Sequence, residues 1–181
     1  MNFNITKDSI IEDILLIQHD IFEDHRGILY ETFHKNIIKS YIDIEFIQEK
    51  CIVSNYGVLR GLHFQKDPYG QGKLVRCTVG KIYDVAVDIR PNSITYGQWV
   101  GHELSDVNHK MVYIPPGFAH GVLSLSKNKS IVHYFTTHDH EKNAEAGIIW
   151  SDQSLNIQWP IPISDIVLSE KDKGLPTLAK I

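Results

Sequence analysis

Short segments in which apolar and polar residues alternate are the feature that most limits the fold of this chain. The alternation is regular over residues 73–79 and 81–90, and it recurs over residues 96–104, 110–114, 122–125 and 130–136. A period of two places every second side chain on the same face of an extended strand. These segments therefore predict a run of short β-strands.

Turn-forming residues separate the predicted strands, as in DPYG at residues 67–70 and PPG at residues 115–117. Only residues 35–41 and the tail at 164–173 have a helical pattern, and both segments are short. Short strands at this spacing are typical of a sandwich or barrel. A length of 181 residues suits one well-filled domain, with no repeat or linker along it. We expect one all-β domain over residues 1–181 with short peripheral helices.

The composition limits the partners of the chain. Its 22 acidic residues outnumber 18 Lys and Arg residues, for a formal net charge of -4, which argues against nucleic-acid binding. No apolar run approaches the roughly 20 residues of a membrane span, and the N-terminal residues do not have the pattern of a signal peptide. We expect a cytoplasmic protein in which Cys51 and Cys77 stay reduced.

One part of this acidic chain concentrates positive charge. The strings GVLRGLHFQ (57–65) and QGKLVRC (71–77) predict two strands joined by a polar turn, and they carry His63, Lys73 and Arg76 within 14 residues. Cations beside a titratable imidazole repel one another and oppose folding, so their clustering points to an anionic ligand or to a carbanion formed in a reaction. The pattern predicts an enzyme that acts on a phosphorylated small molecule.

These two strings, together with DVAVDIR (84–90), YGQW (96–99), IPPGFAHG (114–121) and LSEKD (168–172), resemble the dTDP-4-dehydrorhamnose 3,5-epimerases. This family is the sugar-nucleotide branch of the cupins, and the resemblance runs from about Phe22 to Leu178. It implies a cupin-type jelly-roll barrel and a homodimer without metal or redox cofactor. The implied substrate is a nucleotide-diphospho-4-keto sugar on the route to rhamnose or a related cell-surface sugar.

The resemblance also implies four catalytic residues. The family's base and its aspartate partner correspond to His63 and Asp172, the lysine that stabilises the enolate to Lys73, and a proton-transferring tyrosine to Tyr134. The chemistry agrees, because a proton next to a ketone is removed only when fixed positive charge meets the developing oxyanion in a dry site. A tyrosine hydroxyl is a proton donor that stays neutral at pH 7.

Two of these positions have a simpler interpretation from periodicity. Tyr134 alone would be assigned to core packing. Lys73 shares its predicted face with Val75 and Cys77, so a buried lysine there should have a partner.

Substrate-binding residues carry over from the same resemblance. The family arginine at Arg26 reaches phosphate, often in the partner subunit. The complete expected set is Arg60, His120, Arg26, Glu31, Gln48, Gln65 and His140.

A metal-binding cupin is the sharpest alternative. Residues 115–120 fit the second cupin motif, whose histidine, His120 here, often binds metal. The first motif requires His-x-His, whereas this chain has His63 followed by Phe64 and Gln65. Two histidines without a carboxylate at ligand spacing make a poor transition-metal site. We therefore expect no metal, with His120 as a polar wall of the site.

Two departures from the family pattern affect nucleotide recognition. Lys50 and Ile52 stand where the family has asparagine and serine, and Asp139-His140 replaces a tyrosine pair that helps to sandwich thymine. A GDP-linked 4-keto hexose or heptose is therefore an open alternative, and we expect GDP to compete with TDP. A C3-only epimerase, a non-catalytic sugar-nucleotide-binding cupin and a 3,4-ketoisomerase also stay open.

The backbone near Gly61 should depart from a regular strand. Strict alternation places Arg60 and His63 on opposite faces, yet both should face one pocket. One extra residue in the strand would bring both side chains to the same face. A glycine is a suitable place for it, because glycine tolerates positive φ. We predict a β-bulge or kink at Gly61.

Overall fold

The computed structural model describes residues 2–181, and most of its strands belong to two large sheets. In chain order the strands are β1 (Phe3–Lys7), β2 (Leu15–His19), β3 (Ile21–Asp24), β4 (Gly27–Tyr30), β5 (Gln48–Ser54), β6 (Leu59–Gln65), β7 (Lys73–Val79), β8 (Lys81–Asp88), β9 (Trp99–Ser105), β10 (Met111–Ile114), β11 (Phe118–Ser124), β12 (Ser130–Thr136) and β13 (Glu145–Gly147). The α-helices are α1 (Lys35–Tyr41) and α2 (Glu170–Lys173), with 3-10 turns at Ile163–Asp165 and Leu178–Lys180.

The first sheet has the strand order β1-β2-β10-β7-β12-β5, and the second has the order β13-β6-β11-β8-β9. Paired strands within both sheets run antiparallel. Strands β6 and β7 follow each other in sequence but lie in different sheets. This crossing between two antiparallel sheets confirms the expected jelly-roll barrel.

The main core lies where the two sheets face each other. Val75 of β7 and Val132 of β12 pack there with Ile82 and Ala86 of β8. The opposite face of β8 packs into a second cluster with the C-terminal segment, which includes Val85, Val87, Leu155 and Leu178. Because both faces of β8 are covered, its two acidic side chains, Asp84 and Asp88, are buried as well.

The two helices are short and lie at the periphery, as expected, but α2 covers only Glu170–Lys173 of the predicted segment 164–173. Helix α1 begins after His34, whose side chain accepts a hydrogen bond from the Ile37 amide, and it buries Ile38 against the first sheet. Helix α2 begins after Ser169, whose hydroxyl accepts from the amide of Asp172 at 3.1 Å. None of the helices within residues 2–181 is long and apolar enough to span a bilayer.

Strands β3 and β4 form a separate two-stranded sheet outside the barrel. Its base is attached through Tyr30, whose ring stacks on His19 with centroids 4.6 Å apart. A lone hairpin is only marginally stable in water. This one nevertheless exposes four large apolar side chains, those of Ile21, Phe22, Ile28 and Leu29.

Candidate active site

A cavity of about 510 Å³ is lined by side chains of both sheets and of the segment that leads into α2. All four predicted catalytic residues line it. They come from four different elements and are His63 on β6, Lys73 on β7, Tyr134 on β12 and Asp172 on α2. The jelly roll thus brings together residues that are far apart in sequence.

A β-bulge at Gly61 lets Arg60 and His63 enter the same cavity. His63 pairs with His120 and Arg60 pairs with Val122, so two residues of β6 lie opposite one residue of β11. Gly61 itself has φ of 138°, which favours glycine. The predicted bulge is therefore confirmed, and both Arg60 and His63 line the cavity.

His63 is held by a carboxylate that the sequence places 109 residues away. Its Nε2 lies 2.6 Å from Oδ1 of Asp172. The Asp172 side chain is 5% exposed, whereas that of His63 is 33% exposed toward the cavity. Because Nε2 is committed to the carboxylate, Nδ1 is the ring nitrogen left for proton transfer.

Lys73 is buried in the wall of the cavity, with 9% of its surface exposed. The pKa of Lys73 is lowered to about 8, mainly by burial; the negative charge of Asp84 opposes this shift, and the positive charge of Lys50 adds to it. The ion pairs within residues 2–181 do not include Lys73. The partner expected on this apolar face is thus Asp84, which acts through its charge from the opposite sheet.

His120 lines the cavity from β11, and its Nε2 lies 2.9 and 3.0 Å from the two carboxylate oxygens of Asp84. Asp84 is 1% exposed and was not among the predicted site residues. The sequence carries a signal for it, because Asp84 lies between Ile82 and Ala86 on the apolar face of β8. A carboxylate at such a position must have a partner in the interior.

Tyr134 contributes a hydroxyl to the same cavity. Burial raises the pKa of this phenol, and the charge of Arg60 lowers it. Arg60 Nε donates a hydrogen bond to the Ser54 hydroxyl at 3.1 Å. Tyr134 pairs across the strands with Lys50, which also lines the cavity. Arg60, Lys50 and Lys73 therefore concentrate positive charge on this side of the cavity.

The remaining polar lining is fixed by contacts within the chain. Lys171 Nζ lies 2.6 Å from Oε1 of Glu145, and His140 Nε2 lies 3.7 Å from its Oε2. Gln65 lines the cavity, but its amide nitrogen donates to the carbonyls of Tyr69 and Asp139. Gln65 thereby holds the loop that carries His140.

Three predicted binding residues do not line the cavity of this chain. Arg26 lies at the tip of the β3–β4 hairpin and pairs with Asp24 there. Glu31 follows the hairpin, and Gln48 begins β5. Sequence motifs locate residues along the chain, and they do not state whether a side chain serves its own subunit.

The residues that the structure describes, 2–181, contain no group of three or more His, Cys, Asp or Glu side chains that could hold a metal ion. His63 and His120 are direct cross-strand neighbours, but each has a carboxylate on Nε2. The expected absence of a metal stays a prediction.

Comparison with known proteins connects this geometry to one family. The family model described as dTDP-4-dehydrorhamnose 3,5-epimerase matches residues 8–180. A curated dTDP-4-dehydrorhamnose 3,5-epimerase from Shigella flexneri is 46% identical over 164 residues, which cover 90% of this chain and 89% of the relative.

Solved structures agree with the sequence comparison. The dTDP-6-deoxy-D-glucose-3,5-epimerase from Legionella pneumophila, in complex with dTDP-4-keto-L-rhamnose, superposes with a TM-score of 0.94 at 38% identity, covering 99% of this chain and 95% of that one. A 3'-monoepimerase from Streptomyces bikiniensis, in complex with dTDP-quinovose, gives a TM-score of 0.89 at 31% identity, covering 96% and 87%. The chain belongs to the dTDP-4-dehydrorhamnose 3,5-epimerase family and is an isomerase.

Proposed function

We propose that this protein inverts C3 and C5 of a dTDP-linked 4-keto-6-deoxy sugar, on the route to rhamnose or a related cell-surface sugar. The observation that carries the proposal is the hydrogen-bonded pair of His63 and Asp172, which shares one cavity with Lys73 and Tyr134. A base, a cation and a hydroxyl donor are the groups that this reaction requires.

The proposed reaction begins when His63 removes the proton from the carbon next to the ketone. The electron pair of the broken C–H bond moves to the carbonyl oxygen, and the ammonium group of Lys73 stabilises the enolate that forms. Asp172 orients the imidazole and stabilises its protonated form. Tyr134 then delivers a proton to the opposite face of the carbon. His63 releases its proton to solvent and Tyr134 regains one from solvent before the same sequence is repeated at the second centre.

The thymidine nucleotide is proposed from the relatives, whose names or bound ligands carry dTDP. A reaction confined to C3 is the second candidate, favoured by the likeness to a 3'-monoepimerase. Competition by GDP stays a prediction, which rests on Asp139-His140 in place of a tyrosine pair and on Lys50, an additional donor that a guanine edge could use.

A homodimer is part of the proposal. The β3–β4 hairpin exposes Phe22 and Leu29 by 51% and 63%, and a second copy would cover such an apolar surface. Arg26 at its tip would then reach the diphosphate in the cavity of the partner, with Glu31 and Gln48 near the base. We further propose a single-domain cytoplasmic enzyme.

We also propose that the reaction needs no metal. Activity should survive exhaustive dialysis against a chelator. Elemental analysis that finds one transition metal per chain, together with activity lost on its removal, would overturn this part of the proposal.

Incubation with dTDP-4-keto-6-deoxyglucose in deuterium oxide tests the proposed reaction. Mass spectrometry should count two deuterons incorporated per sugar for a 3,5-epimerase and one for a C3-only enzyme. A protein that binds the nucleotide sugar but incorporates no deuterium would be a binding cupin, and the proposed function would be wrong.

A further inference from the structure

The carboxylate of Asp84 lies beneath the cavity, and the reaction proposed above gives it no role. Asp84 on β8 is 1% exposed and does not line the cavity. Its one hydrogen-bonded side-chain partner within residues 2–181 is His120. A buried carboxylate is strongly destabilising unless neighbouring groups compensate its charge.

Two cavity residues can supply this compensation. His120 holds both carboxylate oxygens through Nε2, which fixes the orientation of its ring. Lys73 shares the inner face of β7 with Val75, and Asp84 shares the inner face of β8 with Ile82, so both side chains point into the space between the two sheets. The negative charge of Asp84 raises the pKa of Lys73 against the effect of burial. Charges in such an interior are weakly screened, so they interact without direct contact.

We propose that Asp84 is a positioning residue of the epimerase site, which orients His120 and keeps the ammonium group of Lys73 charged from beneath the cavity. This inference rests on the proposed function. Asp84 touches no substrate in this scheme. It acts through the two residues that line the wall.

Other charged groups act on Lys73 from the elements packed around it. Lys50 opposes Asp84, because its positive charge lowers the pKa of Lys73. The charged and titratable groups that share the cavity with Lys73 are Lys50 on β5, Arg60 and His63 on β6, His120 on β11, Tyr134 on β12, His140, Glu145 on β13, Lys171 and Asp172 on α2. Glu145 forms an ion pair with Lys171, and Asp172 forms a hydrogen bond with His63. Asp84, which is hydrogen-bonded to His120, is the carboxylate whose charge raises the pKa of Lys73.

The test compares Asp84→Asn with Lys50→Gln, because the two changes should shift the pKa of Lys73 in opposite directions. The side-chain NMR signal of Lys73, assigned with Lys73→Met, is titrated from pH 6 to 10 in each protein. In the unmodified enzyme the midpoint should lie at about 8. Asp84→Asn should lower it by about one pH unit or more, and Lys50→Gln should raise it.

The pH dependence of enzyme activity should shift in the same directions as the pKa of Lys73. Lys73 is charged below its pKa, so the rate of deuterium exchange should fall as the pH rises through about 8. This alkaline limb should move to lower pH in Asp84→Asn and to higher pH in Lys50→Gln. The change should affect kcat more than KM, because Asp84 makes no contact with the substrate.

Asp152→Asn is the matched control. Asp152 is also a buried carboxylate, 4% exposed, but it accepts hydrogen bonds from Ser154 and Leu178 and lies outside the cavity. This variant should lose stability and keep the Lys73 midpoint. A Lys73 midpoint that is the same in Asp84→Asn and in the unmodified enzyme would overturn the inference.

A double variant keeps the inference testable if Asp84→Asn does not fold. Removal of both charges of a coupled buried pair should restore stability that removal of one charge loses. Asp84→Asn/Lys73→Met should therefore resist urea better than Asp84→Asn. If it does not, the two charges are not coupled. The proposed function fails separately, when the unmodified enzyme catalyses no exchange while the Lys73 midpoints still shift.

Discussion

The interior of the cavity and the β3–β4 hairpin differ in how completely one chain builds them. Lys73, His120 and Asp172 are 9%, 8% and 3% exposed, and they come from three elements of one chain. Arg26 on the hairpin has a side chain that is 79% exposed, and its one ion-pair partner within residues 2–181 is Asp24 beside it. The groups proposed for proton transfer are thus held in place within one chain, whereas the hairpin arginine is largely exposed.

This difference has a physical origin. Stabilising an enolate requires cations that are fixed and shielded from water before the substrate arrives. Binding a diphosphate requires positive charge at the open end of a cleft, where a flexible exposed side chain suffices. Changes in the interior should therefore affect the reaction itself, and changes in the hairpin should affect binding and assembly.

The largest effect is expected for His63→Asn. Without the base, deuterium exchange next to the ketone should fall by about 10²–10⁴-fold, while TDP binding by calorimetry should change little. His102→Asn is a matched control, because His102 also lies beside a carboxylate, 3.1 Å from Asp8, but outside the cavity. Exchange at the normal rate in His63→Asn would show that another residue is the base.

A large loss of stability is expected for Gly61→Ala. A Cβ atom there would lie 2.6 Å from the Cα of Gly121 and 2.7 Å from the carbonyl oxygen of His120, at φ of 138°. We expect the free energy of unfolding to fall by about 3 kcal/mol or more. Gly27 in the hairpin has φ of 121° with no atom within 4 Å of its Cβ position.

Gly27→Ala is therefore the control for backbone strain without crowding. It should lower the free energy of unfolding by about 1 kcal/mol. Urea denaturation measures this loss for both variants. Equal losses would mean that the bulge tolerates a side chain, and the contrast between a packed interior and an open hairpin would fail at this position.

The sequence predicted the regular parts of this fold well. Strands β7 and β12 and helix α1 have the predicted bounds, because alternation marks their faces and His34 caps the helix. Strand β11 was predicted only from residue 122, whereas it begins at Phe118. All of its residues, including the polar His120 and Ser124, are buried. The strand therefore has no exposed polar face that alternation could reveal.

The site was predicted by motif more than by periodicity. The bulge at Gly61 followed from a conflict of parity between Arg60 and His63, an argument that the sequence alone allows. Asp84 was missed although its place on the apolar face of β8 predicts an interior partner, because the sequence does not identify that partner as His120 on β11. That β6 and β7 enter different sheets, and so place His63 and Lys73 on separate walls, is a property of the topology.

Mixed dimers provide a test of the hairpin. Arg26→Ala should raise KM by about tenfold, through loss of one charged contact to phosphate, and should leave kcat unchanged. If Arg26 serves the partner's cavity, a dimer of one Arg26→Ala chain and one His63→Asn chain contains one site with neither change and one site with both.

Such mixed dimers, isolated with two different affinity tags, should have about half the activity of the unmodified dimer at low substrate concentration. If Arg26 serves its own chain, each site of the mixed dimer carries one change. The KM would then stay raised, and the proposed exchange of hairpins would be wrong. Size-exclusion chromatography with light scattering checks that the samples are dimers.

The smallest effect concerns nucleotide binding, to which the cavity and the hairpin should both contribute. His140 stands in place of a larger aromatic ring and is 47% exposed beside Glu145. Loss of aromatic stacking weakens binding by about 0.5–1.5 kcal/mol beyond the buried area, which is several-fold to about tenfold in affinity. We therefore expect GDP to compete with TDP on at least equal terms, and His140→Tyr to tighten TDP binding several-fold without a change in kcat. Calorimetric titration of both nucleotides measures this directly. An advantage of tenfold or more for TDP over GDP in the unmodified protein would contradict the prediction.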